Sequence, residues 1–257
     1  MTKLKKIKGK PFITIITVVK NDEKKILTTL KSVFNQSLKD FEYIVIDGKS
    51  KDNTLKIIQK YKSKIDHIIS KKDKNMWHAI NAGIKLSSGS IIGILNSGDI
   101  FYKETLVKVN DCFKKQDIDY LFGPVKKDRV WFKFEPELVN YRLNIYPSHS
   151  ISFFISKNIQ KKIGLYDTDL KYGADYNLFY KLFKNKNYKG IVTKRNYVFG
   201  KFDMNGLSSK IPFYLTYFYE MKVRYKNGQN VIFLFFLYCV KILNKFINYL
   251  KFKIKLF

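Results

Sequence analysis

Asp47 and the run Asn96-Ser97-Gly98-Asp99 each stand directly after a stretch of β-branched and apolar residues, and Asp175 opens a stretch with helical periodicity. Carboxylates at strand ends can hold a divalent ion and accept hydrogen bonds from hydroxyl groups, which is what a nucleoside diphosphate asks of a protein. Asp99 follows Gly98 in a short turn that would hold it at the mouth of such a site; an Asp in that place also serves as a turn former or helix cap. Asp175 likewise has two readings, a helix N-cap and a general base within reach of an acceptor hydroxyl. His149 is one of three histidines, and the spacing of His67, His78 and His149 builds no metal site.

These side chains need elements to carry them. Residues 12–19 are nearly all β-branched or apolar, the mark of a parallel strand covered on both faces, and Asn21-Asp22-Glu23 then signals a helix start. Ile26, Leu27, Leu30, Val33 and Phe34 fall on one helical face, and a second apolar strand follows at 41–46. The alternation repeats: Asp52 can cap a helix carrying Leu55, Ile58 and Tyr61; residues 65–70 read as a strand; Trp77, Ile80 and Ile84 mark a helix; and 90–95 is the next strand. This predicts an α/β fold with a doubly wound, Rossmann-like, mostly parallel sheet and a ligand site at the carboxyl ends of its strands. Further on, strands are expected at 120–125, 151–156 and 190–198 and a helix at 174–183, while 126–147 yields no assignment.

The domain so defined spans residues 11–210, and a helical, aromatic and basic extension occupies 211–257. Residues 231–240 are all apolar, short of the ~20 needed to cross a bilayer. Beyond them Lys241, Asn244, Lys245 and Asn248 share one face while Ile242, Leu243, Phe246, Ile247 and Leu250 share another. This is the pattern of an amphipathic helix lying in a membrane interface, with Lys251, Lys253 and Lys255 adding attraction to anionic headgroups. A helix pair packed on the domain and a true span are the alternatives.

The 257 residues carry 49 Lys+Arg against 21 Asp+Glu, a formal net charge of +28 that draws polyanions such as anionic lipid, phosphorylated substrates or nucleic acid. The basic residues are dispersed, so a nucleic-acid-binding module is the weaker reading, and no nucleic-acid partner is expected. Cys112 and Cys239 are the only cysteines, which argues against a disulfide framework and fits a reducing compartment. The basic start lacks an apolar core and cleavage site of secretory type. The chain also lacks a P-loop, a GxGxxG, a GxSxG and an HExxH, which removes several enzyme classes.

Six segments in order resemble the inverting glycosyltransferases of family 2, which have the GT-A fold: residues 13–21, 32–37, 46–54 (Ile-Asp-Gly-Lys-Ser-Lys-Asp-Asn-Thr), 73–81, 95–99 (Leu-Asn-Ser-Gly-Asp), and 164–167 leading to Ala174-Asp175-Tyr176. The resemblance implies transfer of a sugar from a nucleoside-diphosphate sugar, most simply a UDP-sugar, with inversion at the anomeric carbon. Thr17, Asp47 and Asp73 match nucleotide-binding positions, and Asn96 and Ser97 are grouped with them. Asp99 matches the metal-motif carboxylate, so Mn²⁺ or Mg²⁺ is the expected cofactor, and Asp175 matches the base that deprotonates the acceptor. His149, Gly206 and Ser208 are candidate contacts to the acceptor or diphosphate. A catalytically inactive relative is the remaining alternative.

The chain departs from the family pattern in places. Gly48 stands where a second carboxylate is common, Ser97-Gly98-Asp99 replaces an Asp-x-Asp, Lys20 replaces a Tyr, His78 an Asp, and Ala174 the Glu that often precedes the base. Metal affinity is therefore expected to be lowered, with water filling a coordination position. The implied process is surface polysaccharide, capsule or lipopolysaccharide assembly on a glycan or polyprenyl-diphosphate-linked acceptor. The expected location is cytoplasmic, peripheral on the inner face of the cytoplasmic membrane.

Overall fold

The strand β1 (Ile13–Val19) has all seven residues buried, because both of its faces are covered. Ile16 and Val18 join one hydrophobic core, and Ile13, Ile15 and Val19 join a second on the opposite side of the sheet. The computed structural model describes residues 11–254 apart from 127–129, 132–133, 142–144, 205 and 207–210. Around β1 the chain alternates as the sequence predicts: α1 (Ile26–Phe34), β2 (Glu42–Asp47), α2 (Thr54–Gln59), β3 (His67–Ser70), α3 (Met76–Leu86) and β4 (Ile91–Ile94). Then come β5 (Ile100–Phe101), α4 (Thr105–Lys115), β6 (Tyr120–Phe122), β7 (Val125–Lys126), β8 (Val130–Trp131), β9 (Phe153–Ser156), α5 (Lys157–Ile163), α6 (Ala174–Lys184), β10 (Gly190–Val192) and β11 (Gly200–Lys201). Two helices, α7 (Phe213–Lys226) and α8 (Val231–Ile254), complete the order.

The main sheet has seven strands in the order β10-β6-β9-β4-β1-β2-β3, and only β9 runs antiparallel to its neighbours. A small sheet, β5-β11-β7-β8, forms beside it. α3 lies close against β1, since a Cβ at Gly83 would come 2.5 Å from Ile16 Cγ2.

Several readings of local structure change: the strand expected over 120–125 divides into β6 of the main sheet and β7 of the small one, and that expected over 151–156 starts at Phe153 after a 3₁₀ turn at Ser150–Ser152. α1 begins at Ile26 rather than after Asn21-Asp22-Glu23, because the Asp22 side chain accepts from Ser97 Oγ (2.7 Å) and only its backbone carbonyl receives the N–H groups of Lys25 and Ile26. The strand expected over 190–198 stops at Val192: Lys194-Arg195-Asn196 break the apolar run, a turn follows, and Gly200 and Lys201 pair in the small sheet. The unassigned stretch 126–147 carries β8 and a short 3₁₀ turn at Pro136–Leu138, with parts outside the described residues.

The extension packs on the domain through α7 against α6, and α8 folds back on α7. In α8 Leu234, Leu237 and Lys241 are buried, at the three- and four-residue spacing of one helix face. Val231, Ile232, Phe235, Phe236, Leu243 and Phe246 form the opposite face and are exposed. Among the described residues no helix is long and apolar enough to cross a membrane.

Candidate active site

The parallel strands β3, β2, β1 and β4 end at one edge, which gathers Asp73, Asp47, the Lys20–Asp22 loop and Asn96-Ser97-Gly98-Asp99. β2 and β4 are two strand spacings apart, roughly 10 Å. The loops are tied to one another. Asn21 and Lys49, the non-glycine residues with positive φ among those described (50° and 57°), sit in the turns after β1 and β2. Asn21 N–H donates to Ser50 Oγ (2.8 Å), and Lys51 N–H donates to Asn21 Oδ1 (2.8 Å). Backbone held in this sparsely populated region marks a place over-determined by its surroundings.

Asp99 is 3% exposed and its Oδ1 accepts the backbone N–H of Asp203 (2.9 Å). Burial, with the nearby Asp203 charge adding to it, pushes the Asp99 carboxyl up to about 7. Asp203 in turn accepts from Lys25 Nζ (2.5 Å), and Gly98 takes φ +94° where a Cβ would meet Asp203 Oδ2 at 2.7 Å. Only glycine fits so tight and left-handed a position. The next residue back, Phe202, packs on the His149 ring with centroids 3.7 Å apart, and Gly206 N–H donates to Asp203 O (3.2 Å). His149 and Gly206 are thus brought to the Asp99 side of the site; Ser208 lies outside the described residues.

Asp175 lies in the first turn of α6, with Gly173 at the N-cap, so it is not the cap itself. Its Oδ1 accepts from Tyr176 N–H (2.9 Å) and from the Tyr146 hydroxyl (3.2 Å). Surrounding protein raises its carboxyl, though part of the residue stays open to solvent. Trp77 stacks on Tyr166 (5.4 Å, 9°), Asn81 bonds both backbone groups of Tyr166, and Asn75 Nδ2 reaches Thr168 O. These contacts hold 166–168, a few residues before Asp175, against α3, which follows Asp73. The segment 146–149 therefore touches Asp175 through Tyr146 and, through His149 and Phe202, the loop that covers Asp99.

The nucleotide-site candidates separate. Asp73 Oδ2 and Asn96 Oδ1 are buried oxygens with no hydrogen-bond partner among the described residues, a state that a ligand donor would relieve. Ser97 is taken up by Asp22. Asp47 has no exposed surface and accepts from Ser50 Oγ and N and from Ser70 Oγ, so it shapes the turn beneath the site. Thr17 is turned into the core, its hydroxyl bonded to Tyr43 OH (2.9 Å), which does not present it to a ligand. Lys25, Asp203 and Tyr146 carry no motif in the sequence, and Asp22 shows there only as part of a helix-start signal.

The donor set suits a hard cation. Asp99 Oδ2 makes no hydrogen bond among the described residues, and a hard divalent ion needs only one or two protein carboxylates when substrate phosphate and water complete its shell. No cluster of three or more acidic, His or Cys side chains is present among the described residues, so phosphate and water would supply the remaining ligands.

A mostly parallel sheet whose strand-end loops gather acidic and amide groups, with an acid opening a later helix, defines the nucleotide-sugar transferase fold of GT-A type. The sequence profile of Glycosyl transferase family 2 matches residues 14–171, more than half of the chain, and the chain belongs to that family. It is similar to an uncharacterized glycosyltransferase of Rickettsia prowazekii, 27% identical over 189 residues, covering 68% of this chain and 59% of that protein, so it spans under two thirds of that relative's length. It is 32% identical over 116 residues to the poly(ribitol-phosphate) beta-N-acetylglucosaminyltransferase TarP of Staphylococcus aureus, covering 43% and 36% of the two chains. S. aureus TarS 1–349, solved in complex with UDP-GlcNAc, superposes with a TM-score of 0.66 at 18% identity over 82% of this chain and 66% of that one.

Proposed function

We propose that the protein moves a sugar from a UDP-sugar to a hydroxyl of a glycan or polyprenyl-diphosphate-linked acceptor, with inversion, in the assembly of a cell-surface polysaccharide. The observation that carries this reading is that one segment, 146–149, touches the candidate base Asp175 and the loop covering Asp99. Support for the donor comes from the UDP-GlcNAc complex of TarS, and for a polymeric, hydroxyl-bearing acceptor from the poly(ribitol-phosphate) in the name of TarP.

In this mechanism Asp73 and Asn96 take donors from the base or ribose, and Asp99 would hold Mn²⁺ or Mg²⁺. The ion, when bound, stabilises negative charge on the departing diphosphate. Lys25 stands beside the same carboxylates and can share that task. Asp175 accepts the acceptor's proton as its oxygen attacks the anomeric carbon from the face opposite the leaving group. Burial raises Asp175, which makes it a better base than an open carboxylate.

The extension supports a peripheral membrane location. Residues 211–257 hold eight Lys and Arg against one acid, Glu220, and the outer face of α8 is apolar, so an anionic bilayer is the partner that matches both properties.

The test is UDP release from a panel of UDP-sugars with Mn²⁺, first by slow hydrolysis and then with acceptor. Release that vanishes in Asp99→Ala and in Asp175→Asn supports the assignment. Release unchanged in both variants would end it.

A further inference from the structure

We propose that Arg224, in the C-terminal extension, is a positioning residue for Asp175 and acts through Tyr176. This rests on reading Asp175 as the base.

Arg224 has no exposed surface although it is a charged residue on a helix that otherwise looks like an appendage. A guanidinium taken out of water must use its donors in the protein. Its Nε donates to the Tyr176 hydroxyl (2.8 Å), and Nη1 donates to Gln229 Oε1 (2.9 Å) and to Asn140 O (3.3 Å). The same group lies over the rings of Tyr176 and Tyr180, 5.8 and 5.3 Å from their centroids.

Tyr176 is also buried, and it is bound at both ends. Its phenol is held by Arg224, while its backbone N–H donates to Asp175 Oδ1 (2.9 Å). Its ring meets that of Tyr146 edge to face (5.7 Å), and Tyr146 donates to the same carboxylate oxygen. Both donors to Asp175 thus lean on one ring, and that ring is fixed from α7. A second tie, Asn227 Nδ2 to Asn177 Oδ1 (2.9 Å), fastens the end of α7 to α6 one turn further on.

An apolar side chain at 224 could fill the same space but could not set the direction of the phenol. A base must sit within hydrogen-bond reach of the attacking hydroxyl, and a displacement of about 1 Å can lower a rate by about 100-fold. The extension is therefore part of the catalytic apparatus, and the way α7 sits on α6 sets where the base points.

The experiment uses the full chain and three variants: Tyr176→Phe, which removes only the acceptor, Arg224→Met and Arg224→Lys. Melting temperature reports folding, and calorimetry with UDP and Mn²⁺ reports the nucleotide site. The ¹³C carboxyl resonance of Asp175, assigned by its loss in Asp175→Asn, is followed through a pH titration. Tyr146 and Tyr166, the titratable groups that face it, are themselves pushed upward by burial and stay neutral in that range.

UDP affinity should be unchanged. The Asp175 midpoint should move by about half a pH unit or more in Tyr176→Phe and Arg224→Met, with Arg224→Lys between them and the wild type. The kcat for UDP release from UDP-GlcNAc should fall about 10- to 100-fold at constant KM. A folded Tyr176→Phe or Arg224→Met protein with the wild-type Asp175 titration overturns the proposal; if Arg224→Met does not fold, Tyr176→Phe decides. Wild-type turnover that does not depend on Asp175 would instead remove the base assignment, and the carboxyl titration would still decide the link to Arg224.

Discussion

The backbone N–H of Asp203 donates to Oδ1 of Asp99 at 2.9 Å, closing the loop that follows β11 onto the carboxylate that follows β4. The side chain of Asp203 is held by Lys25 at the start of α1, so two acids and one base occupy a single corner of the site.

That corner makes Lys25 a competitor for a metal and a partner for a phosphate. Its ammonium is raised first by the hydrogen bond to Asp203 and further by the charges of Asp203, Asp22 and Asp99. Lys25→Met should therefore bind Mn²⁺ alone more tightly, by about threefold to tenfold after allowing for solvent screening, and bind UDP more weakly. Titration calorimetry of each ligand separately checks both signs. A variant in which both affinities move the same way would refute this account of the corner.

Burial of Asp99 ties metal binding and stability to pH. The folded-state value of about 7 lies above the unfolded 3.8, so the native state holds the extra proton between them and stability falls as pH rises through that window. In EDTA, Asp99→Asn should be more stable than the wild type at pH 8, by on the order of 4 kcal/mol at most, and nearly equal to it at pH 3.5. Denaturant melts at the two pH values test this. Mn²⁺ affinity of the wild type should weaken as pH drops below about 7, because the cation needs the ionised carboxylate.

The exposed face of α8 predicts a measurable lipid preference. Phe235 and Phe236 are 70% and 61% exposed, and burying such a ring is worth about 1.5–3 kcal/mol. Phe235→Ser with Phe236→Ser should lower binding to phosphatidylglycerol-rich vesicles by at least about tenfold, and high salt should lower wild-type binding by screening the lysines. Flotation assays read both effects. Equal binding of the wild type to neutral and anionic vesicles would contradict the role given to charge.

In the half of the sheet built from β1 to β4, the strands β1, β2 and β4 were legible because each is a short run of buried, mostly β-branched or apolar residues followed by a polar turn, while β3 at the edge is only partly buried. The same property hid the role of Thr17. A strand covered on both faces carries no alternation to show which side chains look toward a ligand, and Thr17 turned out to face Tyr43. Asp203 was invisible for a different reason: it meets Asp99 across 104 residues, and nothing in the residues beside it points to that meeting. Arg224 gave no signal in the sequence, because pattern alone cannot tell a buried guanidinium from an exposed one. The outer face of α8 was legible in part; that its other face packs on α7 needed the fold.

The contact between the last two helices contains a test of its own. Glu220 of α7 and Lys241 of α8 are 7% and 6% exposed and form an ion pair, with the Lys241 ammonium 4.3 Å from the Tyr217 ring centroid. A buried pair gains little over apolar groups of the same size, since the cost of desolvating two charges offsets their attraction. Removing one member is another matter, because it strands the other charge. Lys241→Met should therefore destabilise the protein by about 3–5 kcal/mol, a fall in melting temperature of roughly 10 °C for a chain of this length. The double variant Glu220→Leu with Lys241→Met should recover most or all of that loss, so that the double variant is far less destabilised than the sum of the two singles in a double-mutant cycle. If Lys241→Met melts with the wild type, Glu220 has another way to be satisfied and the pair does not register α8 on α7. If the double variant melts as low as the single, the helices depend on the charges for their alignment, and the extension would then be held by specific pairing rather than by the packing of Leu234 and Leu237.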